Sequence, residues 1–143
     1  MQPSALFPLL SREAFKHHVF ERSAGRCVFC TKPAVDAHHI LERKLFDDGG
    51  YYLANGAAVC ADCHWACETT EKSVDAVRAA CGIGVAPLPE GFEQDGHYDK
   101  WGNRVWPSGL RTVGPLGQDD GMLRALAAGG FRSWLMPAGY SEN

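Results

Sequence analysis

Apolar positions recur at helical spacing near the start of the chain, alternate through two short stretches in its middle, and lose any simple period beyond residue 84. Phe15 and Val19 form an i, i+4 pair on a helix that Ser11 can cap, with Leu10 stapled against Phe15 across the first turn. His17 and His18 fall on its exposed side, and the helix is expected to end near Ser23, because Gly25 can adopt the left-handed closing conformation. Val35, Ala37 and His39 alternate with Asp36, His38 and Ile40, which predicts a short strand beginning after Pro33. Asp47-Asp48-Gly49-Gly50 marks a loop with Tyr51-Tyr52-Leu53 packed beneath it, and Ala57-Ala58-Val59 predicts a second strand. The two strands form a hairpin with a long connection. A short helix from about Asp62 to Thr70 is expected next, then one capped by Ser73 and stopped by Gly82, with Val74 and Val77 on one face.

The texture changes after that. Between Gly84 and Gly117, Pro87, Pro89, Pro107 and Pro115 alternate with glycines, yet Phe92, Tyr98, Trp101 and Trp106 are interleaved with them. Disordered linkers are poor in aromatics, so this stretch is expected to be irregular but ordered, with Trp101 and Trp106 at least partly buried. Tyr98-Asp99-Lys100-Trp101-Gly102-Asn103 reads as a turn between aromatic anchors, and Asp119-Asp120 as the start of a last helix containing Met122, Leu123 and Leu126. With 143 residues the chain fits one compact domain with an appendage, divided here into a core over 1–72 and an extension over 73–143 packed on it. Neither a signal-like segment nor a spanning apolar run is present, so a cytoplasmic protein with no membrane partner is expected.

Net charge is −3, which by itself argues against a broad electrostatic grip on nucleic acid. Its distribution is uneven: residues 1–45 hold seven Lys and Arg against four Asp and Glu, a local +3, which leaves −6 for the remainder. Arg43 and Lys44 close that basic first part and are the candidate substrate-binding residues. Four of the six cysteines form two C-x-x-C pairs, Cys27/Cys30 and Cys60/Cys63. Two such pairs match a tetrahedral thiolate zinc site, with a redox pair or disulfides as the alternative, while Cys67 and Cys81 read as small buried apolar residues.

Between the pairs lies an ordered set of polar residues: His38-His39, Asn55 and His64, with Glu68 one helical turn beyond His64. Phosphodiester hydrolysis needs a water deprotonated on one side of the phosphorus and charge stabilised at the leaving oxygen on the other, tasks that one imidazole and one divalent ion can share. Adjacent strand residues point to opposite faces, so His38 and His39 can divide the work between them. His64 and Glu68, at i and i+4, project side by side and with His38 make three metal ligands. Asn55 suits bracing of loop backbone through its amide.

In the order Cys27-x-x-Cys30, His38-His39-Ile40, Asn55, Cys60-x-x-Cys63-His64, the stretch from about Arg26 to Glu68 resembles the HNH endonucleases. That resemblance implies an α+β fold with a small ββα-metal core of hairpin and helix around one divalent ion, zinc-bound cysteine knuckles, the N-terminal helix and the irregular C-terminal extension. It implies His39 as general base, with a pKa near the ordinary 6.5, His38 and His64 as metal ligands, Asn55 as the loop-bracing member of the catalytic set, and Cys27, Cys30, Cys60 and Cys63 as ligands of one structural Zn2+. Glu68 falls where colicin-type members place another ligand His, and this departure leaves the catalytic metal open among Mg2+ or Mn2+ first and Zn2+ or Ni2+ second. The implied enzyme is a metal-dependent endonuclease acting on DNA, with RNA the second candidate on a shallow site flanked by Trp65, Tyr51 and Tyr52. Cutting both strands would take a homodimer or two events. A non-catalytic zinc module that binds nucleic acid or protein is the rival reading.

Overall fold

The computed structural model describes residues 7–142, which form a small α+β fold in two lobes. In the first, α1 (Arg12–Arg22) is capped by the Ser11 side chain, which accepts from the Ala14 backbone, and Gly25 with φ +75° follows its end. His17 and His18 sit on its outer face beside Glu21. The expected hairpin is antiparallel: β1 (Asp36–His39) pairs with β2 (Gly56–Val59), His38 opposite Ala57 and His39 opposite Gly56. Its long connection folds back through two 3-10 turns, Arg43–Leu45 and Leu53–Asn55. α2 (Ala61–Glu68) starts directly from β2, and α3 (Val74–Cys81) is capped by Ser73 and closed by Gly82 at φ +70°.

Gly56 explains how closely α1 lies on the hairpin. A Cβ built there would stand 2.5 Å from Val19 Cγ2 and 2.7 Å from the Phe15 ring, so only glycine admits the helix at this depth. Phe15 and Val19 are both buried, each contributing about 1.5–3 kcal/mol by leaving water. On the other side of the hairpin Ile40, Leu41, Tyr52, Val59 and Cys67 pack with Val74 and Val77, so α3 belongs to the same core cluster.

The second lobe holds structure that the sequence pattern did not reveal. Two-residue strands β3 (Arg104–Val105), β4 (Arg111–Thr112) and β5 (Leu135–Met136) form a small mixed sheet, antiparallel between β3 and β4 and parallel between β4 and β5. Strands this short carry no period to read. α4 (Asp120–Gly129), capped by Asp119, contributes Met122, Ala125 and Leu126 to a cluster with Trp101. Trp101 and Trp106 are both buried, as their interleaving with the prolines predicted.

Polar contacts join the lobes. The Trp101 indole donates to the Glu68 carbonyl at 2.8 Å, the Glu42 amide donates to the Lys100 carbonyl at 2.9 Å, and Arg111 donates to Thr70 Oγ1 and Asp99 Oδ2. Asp99 in turn accepts from the Trp101 and Asn103 amides, which fixes the 98–103 turn. Among the described residues no helix is long and apolar enough to cross a membrane.

Candidate active site and cysteine cluster

The first cysteine pair follows α1 in a tight knuckle, held by Cys27 N donating to Lys32 O at 2.7 Å and Thr31 N to Cys27 O at 3.1 Å. The second pair opens α2, where Cys60 is the cap residue and its sulfur accepts from the Cys63 amide. All four sulfurs lie within 4.8 Å of one another and none is in a disulfide. Cys30 and Cys60 Sγ are 3.6 Å apart, close to the edge of about 3.8 Å of a tetrahedron with Zn–S arms of 2.3 Å. Burial opposes ionisation of Cys27, but the amides of Cys60, Phe29 and Cys30 outweigh it and bring the thiol down to about 6. Burial and the neighbouring sulfurs push the Cys63 thiol up instead, since clustered thiolates need a cation among them. The group can hold a structural metal ion. Cys67 is buried and Cys81 half-buried, both outside it.

A second group faces a cavity of about 520 Å³ between α1, β1 and α2. His38 is almost fully enclosed and turns toward α2, where its Nδ1 stands 3.6 Å from Glu68 Oε2 and its ring centre 5.1 Å from that of His64. Ligand atoms of His38, His64 and Glu68 all lie within 4.8 Å of one another. His38 Nδ1 and Glu68 Oε2 are buried without a hydrogen-bond partner; the Lys100 charge offsets this at the carboxylate, and the cost stands at the imidazole nitrogen. His64 is oriented by Asp36, whose Oδ2 lies 3.1 Å from Nδ1 and leaves Nε2 for a ligand. Such a carboxylate behind an imidazole fixes the tautomer of a metal-binding histidine.

His39 turns to the other face, toward α1. Its ring stacks on Phe15 at 4.7 Å between centres and meets the edge of Tyr51 at 4.9 Å, yet it lines the same cavity as His38 because β1 ends here. The expected ordinary pKa does not hold. Burial, reinforced by the charge of Lys100 and those of Arg43 and Arg12, lowers His39 to about 4 against the opposing pull of Glu42. Burial also holds His38 well below its usual range, again with Lys100 adding to it.

Asn55 is fully buried: Oδ1 accepts from the Leu41 amide, and Nδ2 donates to the carbonyls of Leu41 and Gly50. The two ends of the 41–50 loop are thereby tied together. Arg43 lines the cavity and donates to the Tyr51 hydroxyl, whereas Lys44 turns away to pair with Asp119 at 3.2 Å. Of the aromatics expected to flank the site only Tyr51 does so. Tyr52 is sealed beneath the loop with its hydroxyl donating to Asp48, and Trp65 lies exposed on α2 outside the cavity lining.

No known protein family, curated protein or solved structure matches this chain. The site therefore stands on its own residues.

Sequence reasoning missed two members of that site. Asp36 shares the strand face of His38 by the two-residue period, a signal that was available. Lys100 was not foreseeable: it reaches the cavity from the second lobe, its Nζ 2.7 Å from Glu42 Oε1 and 3.1 Å from Glu68 Oε2. Burial alone would raise the Glu42 carboxyl, but Lys100 outweighs it and holds the group below its ordinary value.

Proposed function

We propose that this protein is a metal-dependent endonuclease of the HNH kind, with a ββα-metal core built from β1, β2 and α2 and a zinc-bound cysteine tetrad beside it. The observation that carries the reading is the facing pair of buried atoms without a hydrogen bond, His38 Nδ1 and Glu68 Oε2, with His64 alongside and a neutral His39 on the same cavity. Two imidazoles and one carboxylate suit Mn2+, Zn2+ or Ni2+ better than Mg2+, which prefers an all-oxygen shell. A divalent ion held there would supply positive charge to a phosphate oxygen and to the leaving oxygen.

His39 accepts the proton of the attacking water as the water oxygen bonds to phosphorus; the P–O bond to the leaving oxygen breaks, and that oxygen takes a proton from solvent. A base lowered to about 4 is neutral throughout the physiological range, and a phosphodiester anion entering beside it raises its proton affinity toward a useful value. Phe15 and Tyr51 hold the ring in place, and Asn55 keeps the loop that carries Arg43 in register. Arg43, Arg12 and Lys16 line the cavity as cations for the phosphate backbone. DNA is the proposed substrate.

Zinc-loaded protein incubated with Mn2+ or Mg2+ and labelled DNA and RNA tests this directly. Cleavage of DNA that His39→Ala abolishes is the expected result. Folded, zinc-loaded protein that cleaves neither substrate with any of Mn2+, Mg2+, Zn2+ or Ni2+ would turn the reading to a non-catalytic zinc module.

A further inference from the structure

Lys100 belongs to the second lobe, beyond the stretch that carries the resemblance, yet its buried side chain lines the same cavity as His38, His64 and Glu68. Its ammonium is shared between two carboxylates, at 2.7 Å from Glu42 Oε1 and 3.1 Å from Glu68 Oε2, and lies 4.4 Å above the Trp101 ring. The contact with Glu42 is a true hydrogen bond. The approach to Glu68 is not: Oε2 lies within reach of the charge but has no hydrogen-bond partner. The same oxygen faces His38 Nδ1 at 3.6 Å. Glu68 is thus gripped twice by consecutive residues, its carbonyl by the Trp101 indole and its carboxylate by the Lys100 charge. A lysine that only cemented the lobes would satisfy Glu68 with a directed N–H and need not face the cavity.

We propose that Lys100 is a positioning residue for the candidate metal site: its charge orients Glu68 toward His38 while leaving the Oε2 lone pairs free, and its proximity keeps divalent-ion affinity low. This rests on the reading above that His38, His64 and Glu68 hold a divalent ion. Two effects oppose each other when Lys100 is replaced. Glu68 gains rotamer freedom, which weakens ion binding, and a cation beside the site disappears, which strengthens it. Like charges this close outweigh the freedom of one side chain, so the second effect wins. Released from the ammonium, Glu42 also becomes a competing ligand that draws the ion out of place.

The test is calorimetric titration of zinc-loaded full-length protein with Mn2+, an ion too low in the affinity order to displace zinc from four thiolates. Lys100→Met is expected to bind Mn2+ about tenfold more tightly than wild type and, at saturating Mn2+, to cleave about tenfold more slowly. The double variant Glu42→Gln with Lys100→Met leaves no unpaired carboxylate at position 42 and serves if the single variant folds poorly; it too is expected to bind Mn2+ more tightly. Equal or weaker Mn2+ binding by both variants, with only a lowered melting temperature, would make Lys100 a lobe-to-lobe tie and overturn the proposal. Wild-type protein that binds no Mn2+ would instead remove the site on which the proposal depends.

Discussion

The two potential metal centres both draw ligands from α2 and its cap, Cys60 and Cys63 for one and His64 and Glu68 for the other, and obey opposite rules. The cysteine tetrad draws four identical soft donors from two tight turns to within 4.8 Å of one another, enough to fill a four-coordinate ion's shell. The His38, His64 and Glu68 group has only three donors of two kinds, opens onto a cavity, and is flanked by residues that do not ligate: Asp36 behind His64, Lys100 behind Glu68, His39 alongside. The difference teaches that a complete donor set is suited to folding, whereas an unfinished one supported from outside is suited to the proposed chemistry.

The largest break in that comparison is loss of the tetrad. Zinc in such sites contributes on the order of 10 kcal/mol, more than a small domain's whole stability, so Cys60→Ser or a strong chelator is expected to abolish cooperative unfolding. Metal analysis should find one zinc per wild-type chain, and a zinc-free protein with an unchanged melt would contradict this. At the other centre His39→Ala should leave folding and Mn2+ affinity intact while cleavage falls on the order of 10²-fold or more. Single-turnover rates at several Mn2+ concentrations settle it, and a loss that excess metal repairs would make His39 a ligand instead. Asp36→Ala removes the acceptor behind His64, with an expected ten- to hundredfold loss of Mn2+ affinity and little change in melting temperature.

The smallest effect is on pH. His39 binds its proton near 6.5 when unfolded and near 4 when folded, so between those values the unfolded chain holds more protons. Stability from this group is complete above about 6.5 and declines as pH falls toward 4. Urea unfolding of zinc-loaded protein without other divalent ions should follow that slope, and His39→Phe, which keeps the stack on Phe15, should flatten part of it. Identical slopes for the two proteins would exclude His39 as a source.

What was legible in the sequence was local. Caps at Ser11 and Ser73, the left-handed stop at Gly82 and the two C-x-x-C turns each depend on a few adjacent residues, and each formed where its own chemistry dictates. The grouping of His38 with His64 and Glu68 was legible through strand and helix periods. The second sheet was not, because two-residue strands have no period and β4 pairs with β5 across more than twenty residues. Lys100 escaped for the same reason: a turn sequence says nothing of a carboxylate 58 positions away. The lowered pKa of His39 is likewise a property of what packs around the ring, not of the histidine.

Gly56 links these regions through distance alone. It has no functional group, yet by lacking a Cβ it sets the gap between α1 and the hairpin, and thus the height of the Phe15 ring on which His39 rests. It works as a shim whose useful thickness is a single hydrogen atom. Variation there reaches His39 mechanically, through a tilted ring, so a position with no chemistry of its own inherits the tolerance of the imidazole it supports.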